Sequence, residues 1–327
     1  MYIGSIPFSA SIAMNILVTG SSGFIGFHLT KSLLLKGHSV TGIDNHNNYY
    51  DVSLKKERLK LLGNERFSFW NMDINQLDQL TGNFDIAINL AAQAGVRVKN
   101  SQEKFYKHSN IEGFKSFTNF CIKNKVQRII YASSSSVYSD KSKKKFNETS
   151  TELCPKSLYG KSKLINEKLA ESISSEGISL IGLRFFSVYG PYGRPDMAYY
   201  SFAKSIMQDE NITLFNKGML SRDMTYIDDI VDGVNNSIDY ISQQPKGTHE
   251  IFNLGNDQPV KTIDLLKLLE KKYNKKAKII FKESMNESEY THADISKAKK
   301  ILGYKPDINF DEGMERFLDW FENYENI

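Results

Sequence analysis

The run Asn15-Ile16-Leu17-Val18-Thr19, followed at once by Gly20-Ser21-Ser22-Gly23-Phe24-Ile25-Gly26, leaves few architectures open. The first five residues read as a buried strand. The glycines then turn the chain into Phe24–Leu35, which reads as a helix. Gly20 permits the tight turn, Gly23 lets backbone approach a bound group, and Gly26 lets the helix pack closely on the strand. N–H groups at the helix start, around Phe24 and Ile25, lack intrahelical acceptors, and the helix dipole adds to their preference for an anion such as a pyrophosphate. The spacing is GxxGxxG rather than the commoner GxGxxG, and by itself it also suits a glycine-rich turn without a ligand.

The residues that follow favour the ligand. Ser39–Ile43 reads as the second strand and leads into Asp44, near the spacing of about 20 residues expected for a ribose-binding acid. A carboxylate there accepts both ribose hydroxyls and repels a 2′-phosphate, which points to NAD over NADP; the alternative is a strand-end turn residue beside Asn45. Asp73, after the strand Arg66–Asn71, is placed to meet the adenine amino group or to cap a helix. Further strands at Phe84–Leu90, Arg128–Ala132 and Ile178–Arg184 alternate with helices at Lys104–Asn124 and Leu158–Ser174. Such alternation implies an α/β fold, a Rossmann-type doubly wound parallel sheet with right-handed crossovers. Beyond about Ser187 the rhythm changes, with Pro191, Pro195, Pro245, Pro259 and Pro306 and helices such as Thr262–Tyr273 among short strands. The expected organisation is a leader over residues 1–13 (an upstream start or a disordered extension), an NAD-binding domain over 14–186, and a smaller α/β substrate lobe over 187–327, with the stretch Asp223–Tyr240 returning to the main sheet.

With 40% hydrophobic and 24% charged residues, the chain is neither disordered nor fibrous. A net charge of +4 over 327 residues implies no nucleic-acid or membrane partner. No apolar run approaches the ~20 residues that span a bilayer, and Met1–Ala13 lacks the basic start of a signal peptide. Cys121 and Cys154 make neither a disulfide framework nor a metal site. These points lead to the expectation of a cytoplasmic protein without a metal.

Tyr159-Gly160-Lys161-Ser162-Lys163 sets Tyr159 and Lys163 four residues apart, on one face of a helix. A phenol near its usual pKa of ~10 is a poor base at neutral pH. A neighbouring ammonium favours phenolate and brings Tyr159 toward the range of an efficient acid/base. Alone, the pair also suits a surface helix with a snorkelling lysine. The strand Arg128–Ala132 runs into Ser133-Ser134-Ser135-Ser136, at the carboxyl end of a sheet strand, where open α/β sheets bind ligands. A serine there can share a substrate hydroxyl proton with Tyr159.

Taken together, Thr19–Gly26, Asn89-Leu90-Ala91-Ala92-Gln93, the serine run before Val137-Tyr138, and Tyr159 with Lys163 resemble the extended short-chain dehydrogenases that act on nucleotide sugars. The likeness extends from Asn15 to the C-terminus and is strongest to UDP-glucuronate 4-epimerases. It rests there on Gly42–Asn45 with Tyr49–Val52, on Gln93–Arg97, and on Arg184–Ala198. The resemblance implies Ser134, Tyr159 and Lys163 as catalytic residues and NAD contacts that include Asn45, Ile74, Leu90, Ala91, Ala92, Gln93 and Asn110. It implies substrate contacts from Arg97, Ser135 and Ser187, with Arg194 on a sugar carboxylate unless it merely pairs with Asp196. Arg222 would take the diphosphate, Phe215 the uracil, and Asp294 would belong to a late binding segment. Ser135 and Ser136 stand where related dehydratases and decarboxylases carry carboxylates, so simple oxidation and reduction at C4 of a UDP-sugar is the implied reaction. UDP-glucuronate is the implied substrate, passing to UDP-galacturonate through a 4-keto intermediate. A 4-epimerase of a neutral UDP-hexose or UDP-N-acetylhexosamine is the alternative, which Arg194 discriminates; a non-catalytic NAD-binding protein has no need of Tyr159 and Lys163. The resemblance further implies a homodimer built on Lys104–Asn124 and Leu158–Ser174. The chain departs from the pattern at Ser139, where the family has Gly, and over Met285–Glu289, which replaces a Gly-Asp-Val pattern.

Overall fold

The computed structural model describes residues 13–63, 65–95, 103–139, 144–283 and 288–325, so most of the leader, Arg97 and Met285–Glu287 lie outside the described residues. The first half alternates β1 (Asn15–Thr19), α1 (Phe24–Leu35), β2 (Ser39–Asp44), α2 (Val52–Leu61), β3 (Phe67–Asn71) and β4 (Ile86–Asn89). It continues with α3 (Glu103–Tyr106), α4 (Gly113–Lys123), β5 (Arg128–Ser134), α5 (Leu158–Ser174) and β6 (Ser179–Phe185). The second half holds β7 (Ser187–Tyr189), α6 (Ala198–Met207), β8 (Asn211–Phe215), β9 (Ser221–Tyr226), α7 (Ile227–Ser242) and β10 (His249–Leu254). The last elements are β11 (Pro259–Lys261), α8 (Thr262–Tyr273), β12 (Lys278–Lys282), α9 (Ser296–Leu302) and α10 (Phe310–Tyr324).

Seven strands form one parallel sheet in the order β10-β6-β5-β4-β1-β2-β3. Helices cover both faces, which is why the central strands are apolar almost throughout. Val18 pairs with Ile88, Ile88 with Ile130, and Ile130 with Ile181, a fully buried row that fixes the register. Leu17, Ala87, Ile129 and Leu180 point the other way, toward Phe114, Phe117 and Ala170 of α4 and α5. Strand order reverses between β1 and β4, so a crevice opens at their carboxyl ends, the usual ligand position in such sheets.

Two expectations need correction. The single helix expected over Lys104–Asn124 is interrupted by a π-helical stretch, Lys107–Glu112, between α3 and α4. Within Asp223–Tyr240, α7 packs on the main sheet, but the strand β9 joins β7 and β11 in a separate three-stranded sheet. The strand that returns to the main sheet is β10, beside β6. A two-stranded sheet of β8 and β12 completes the C-terminal half.

Candidate active site

A cleft of about 670 Å³ lies at the carboxyl ends of the central strands, reaching from the glycine turn to β8 and β9. Gly20, Gly23, Phe24, Ile25 and Gly26 line one end. The helix α1 starts after Gly23 without a side-chain cap, so its leading N–H groups are left for an anion. A Cβ on Gly20, whose φ is +74°, would stand 2.7 Å from Ala91 N, and one on Gly26 would collide with Gly20 O. The turn therefore exists only with glycine, and its residues fit a dinucleotide diphosphate.

Asp44 closes β2 and lines the cleft; its Oδ1 accepts the His46 N–H at 2.9 Å, with the buried Lys55 Nζ 4.0 Å away. Asn45 also lines it and donates to Asp73 Oδ2 at 2.9 Å. Asp73 itself does not line the cleft. Of its two expected roles it performs the capping one, accepting the Asn75 N–H at the start of the turn Ile74–Gln79. Burial alone would raise its carboxyl, but bonds from Asn75, His108 and Asn45 hold it below its ordinary range. Ile74 and the run Leu90, Ala91, Ala92 and Gln93 contribute lining surface. Asn110 stands behind that run: its amide exchanges two bonds with the Gln93 backbone (2.7 and 3.0 Å) and donates to Ser162 Oγ at 2.9 Å. It positions the loop rather than facing the cleft.

Ser134, Tyr159 and Lys163 converge on the cleft from β5 and α5. Lys163 Nζ donates to Ala132 O at 2.8 Å and lies 5.7 Å from the centre of the Tyr159 ring. Burial raises the Tyr159 phenol above its ordinary value, against which the Arg194 guanidinium and a hydrogen bond with Ser134 pull it down. Burial pushes Lys163 down to about 8, opposed by Glu167. Arg194 thus joins Lys163, whose ammonium lies beside the ring, as a cation near the phenol.

Arg194 lines the cleft while pairing with Asp196, Nε to Oδ1 at 3.0 Å and Nη2 to Oδ2 at 2.6 Å; Tyr49 OH donates to the same carboxylate at 3.1 Å. Ser135, Ser187, Phe215 and Arg222 all line the cleft, and Arg222 Nη1 also donates to Ser221 O at 2.9 Å. Asp294 does not reach it: its oxygens accept from Ser296 N at 3.0 Å and Asn147 Nδ2 at 2.8 Å, at the entry to α9. Its segment reaches the cleft through Ser288 and Thr291 instead. Arg97 falls outside the described residues. The backbone of Ser139 donates to Glu152 O at 3.3 Å. Among the described residues no cluster of acidic, His and Cys side chains can hold a metal, and no helix is long and apolar enough to cross a membrane.

Sequence reasoning missed Arg58, whose side chain is fully buried on α2. Its guanidinium donates to Tyr192 O (3.1 and 2.6 Å) and Gly193 O (3.2 Å), and to Ser22 O (3.0 Å) and Tyr50 OH (2.6 Å). It thereby ties the glycine turn to the loop that carries Arg194. The signal was there in Lys55 and Arg58, three apart on the helix that follows Tyr49-Tyr50-Asp51.

A parallel sheet with a glycine turn at its switch point and a Ser–Tyr–Lys cluster beside it defines an NAD-dependent short-chain dehydrogenase/reductase of the extended type. The model of the NAD dependent epimerase/dehydratase family matches residues 16–255, and the chain belongs to that family. Among its relatives, UDP-glucuronate 4-epimerase 4 of Arabidopsis thaliana is 40% identical over 336 residues, covering 97% of this chain and 77% of that one. An uncharacterised protein of Methanocaldococcus jannaschii is 44% identical over 317 residues, 94% of this chain and 96% of its own. The crystal structure of UDP-glucuronic acid 4-epimerase from Bacillus cereus, in complex with UDP-glucuronic acid and NAD, superposes with a TM-score of 0.87 at 34% identity, covering 95% of this chain and 100% of that one.

Proposed function

We propose that this chain is an NAD-dependent UDP-glucuronate 4-epimerase, interconverting UDP-glucuronate and UDP-galacturonate through a 4-keto sugar. The observation that carries the proposal is the meeting of Ser134, Tyr159 and Lys163 in one cleft with the glycine turn and Arg194, while serines occupy positions 135 and 136. Relatives and solved neighbours named for the same reaction support it. NAD, held by the turn Gly20–Gly26 and by Asp44, would supply reversible hydride exchange at C4.

The protein's own part is binding, orientation and proton movement. Tyr159, aided by Ser134, takes the C4 hydroxyl proton and gives it back to the C4 oxygen once the keto sugar has turned over about its diphosphate link. Arg194 binds the sugar carboxylate through its guanidinium. Held with its C5–C6 bond near the carbonyl plane, the keto acid resists decarboxylation, because that bond must align with the π system to break. Arg222 and Phe215 serve the diphosphate and the base.

The test is to incubate the protein with UDP-glucuronate and follow the anomeric proton signals. The galacto epimer should appear, without a pentose or a dehydrated sugar; either of the latter sinks the proposal. The Arg194–Asp196 pair, satisfied within the chain, favours a second reading in which the sugar is a neutral UDP-hexose. Arg194→Ala separates the two: it should raise KM for UDP-glucuronate about 10- to 100-fold and leave UDP-glucose nearly unaffected.

The reading includes a cytoplasmic homodimer formed across α3, α4 and α5. Exposed Phe105, Ile122 and Ile165 on these helices support it, and light scattering at twice the chain mass is the expected result.

A further inference from the structure

Three successive residues at the end of β5 meet three residues set one turn apart on α5. Ala132 O accepts from Lys163 Nζ at 2.8 Å, Ser133 Oγ donates to Glu167 Oε1, and Ser134 lines the cleft beside Tyr159, whose phenol it pulls down. Tyr159, Lys163 and Glu167 are spaced by four, so all three face the same strand end. Glu167 is 6% exposed and Arg184 3%. The guanidinium engages both carboxylate oxygens, Nε to Oε1 at 2.9 Å and Nη2 to Oε2 at 2.8 Å. Arg184 Nη1 donates to Tyr138 OH at 2.7 Å, and Tyr138 OH donates to Asn253 Oδ1 at 2.8 Å. Asn253 Nδ2 in turn donates to Phe146 O at 2.7 Å and Asp294 O at 3.1 Å. A continuous hydrogen-bonded chain therefore runs from α5 through β6 and β10 to the segment entering α9.

We infer that Glu167 is a positioning residue for the epimerisation: by engaging Ser133 and Arg184 together, it locks α5 against β5 so that Lys163 and Tyr159 meet Ser134 in a single arrangement. The inference rests on the epimerase reading. A buried ion pair seldom adds more stability than apolar packing of the same volume, so stability is a weak reason for this one. A doubly bonded carboxylate does fix geometry, and a misplacement of about 1 Å at a reacting group can cost about 100-fold in rate. Glu167 also acts on charge, because it favours the Lys163 ammonium against burial. The other titratable or charged groups facing the cluster are Arg194, Tyr106 of α3, Tyr131 of β5, Tyr138, Glu148, Glu171 of α5, Arg184 of β6 and His249 of β10.

The test compares Glu167→Gln and Ser133→Ala with the unaltered chain, measuring kcat, KM and the pH profile with UDP-glucuronate. Glu167→Gln should lower kcat about 10- to 100-fold with KM within about twofold, and shift the alkaline limb of kcat to lower pH, since Lys163 loses the carboxylate that favours its charge. Ser133→Ala keeps the Arg184–Glu167 pair; it should lower kcat about threefold, by the same positional argument, with KM unchanged. A folded Glu167→Gln protein that melts lower yet keeps kcat and its pH profile overturns the inference. Should that variant fail to fold, Ser133→Ala decides, and an unchanged kcat again overturns it. If the unaltered chain binds NAD but leaves UDP-glucuronate untouched, the epimerase reading falls, and this one with it.

Discussion

Tyr159 stands between opposing influences: burial disfavours its phenolate, while Arg194 and Ser134 favour it. Its hydroxyl is the group that moves the C4 proton in the proposed reaction. Tyr159→Phe should therefore lower kcat by about 10²- to 10⁴-fold while leaving NAD affinity, measured by calorimetry, within about threefold. Full activity in that variant would remove Tyr159 from the chemistry. Lys163, pushed down to about 8 by burial, adds a pH signature. Its ammonium fraction falls as pH rises through that value, so turnover that needs the charge should decline on the alkaline side of it. A profile flat up to about pH 10, near the usual lysine range, would mean that the charge on Lys163 is not used.

At the scale of elements, the β1–turn–α1 unit depends on backbone packing that no side chain can share. A Cβ on Gly26 would meet the Gly20 carbonyl and Ser21 Cα, both part of the turn itself. Gly26→Ala should push α1 away from the strand, weaken NAD binding at least about tenfold, and lower stability by about 1–3 kcal/mol. Calorimetric titration and a thermal melt would check both, and unaltered NAD affinity would refute the close approach. This unit was legible in the sequence because it is local: a strand, three glycines and a helix carry its whole description. The Tyr159/Lys163 pair was legible for the same reason, since a spacing of four is a property of one helix. Elements shaped by distant contacts were not. The π-helical stretch Lys107–Glu112 coincides with long-range contacts that periodicity does not report: Asn110 bonds the Gln93 loop, and at Gly113 a Cβ would meet Ile74. Arg58 bonds residues 36 and 134 positions away, so its spacing from Lys55 marked a basic pair on α2 but could not name the distant carbonyls that it clamps. Asp294 was picked out by pattern, yet its oxygens are engaged at a helix entry.

At the scale of the whole molecule, one apolar cluster runs from Ile16 of β1 through β6 and α7 to Phe321 of α10, so the main sheet and the C-terminal helices share a core. Two basic side chains, Arg58 and His28, sit where α1 and α2 meet the Pro191–Gly193 loop. Arg58 spends its donors on carbonyls and a phenol; His28 donates to Pro191 O at 2.9 Å among the rings of Phe24, Phe27 and Tyr192. Burial lowers the His28 pKa from 6.5 to about 4; the Pro191 bond opposes the shift, and the nearby Arg58 adds to it. A histidine whose folded value lies below its unfolded one is held neutral by the fold. The stability it protects is therefore complete above about 6.5 and is lost as pH falls toward about 4. A difference of that size corresponds to about 3 kcal/mol, on a total that for most proteins is about 5–15 kcal/mol. Denaturant unfolding at a series of pH values should show stability falling over that range. His28→Gln can keep a donor to Pro191 O and does not titrate, so its acid limb should be flatter by about the same 3 kcal/mol. Equal slopes in the two proteins would place the acid sensitivity elsewhere.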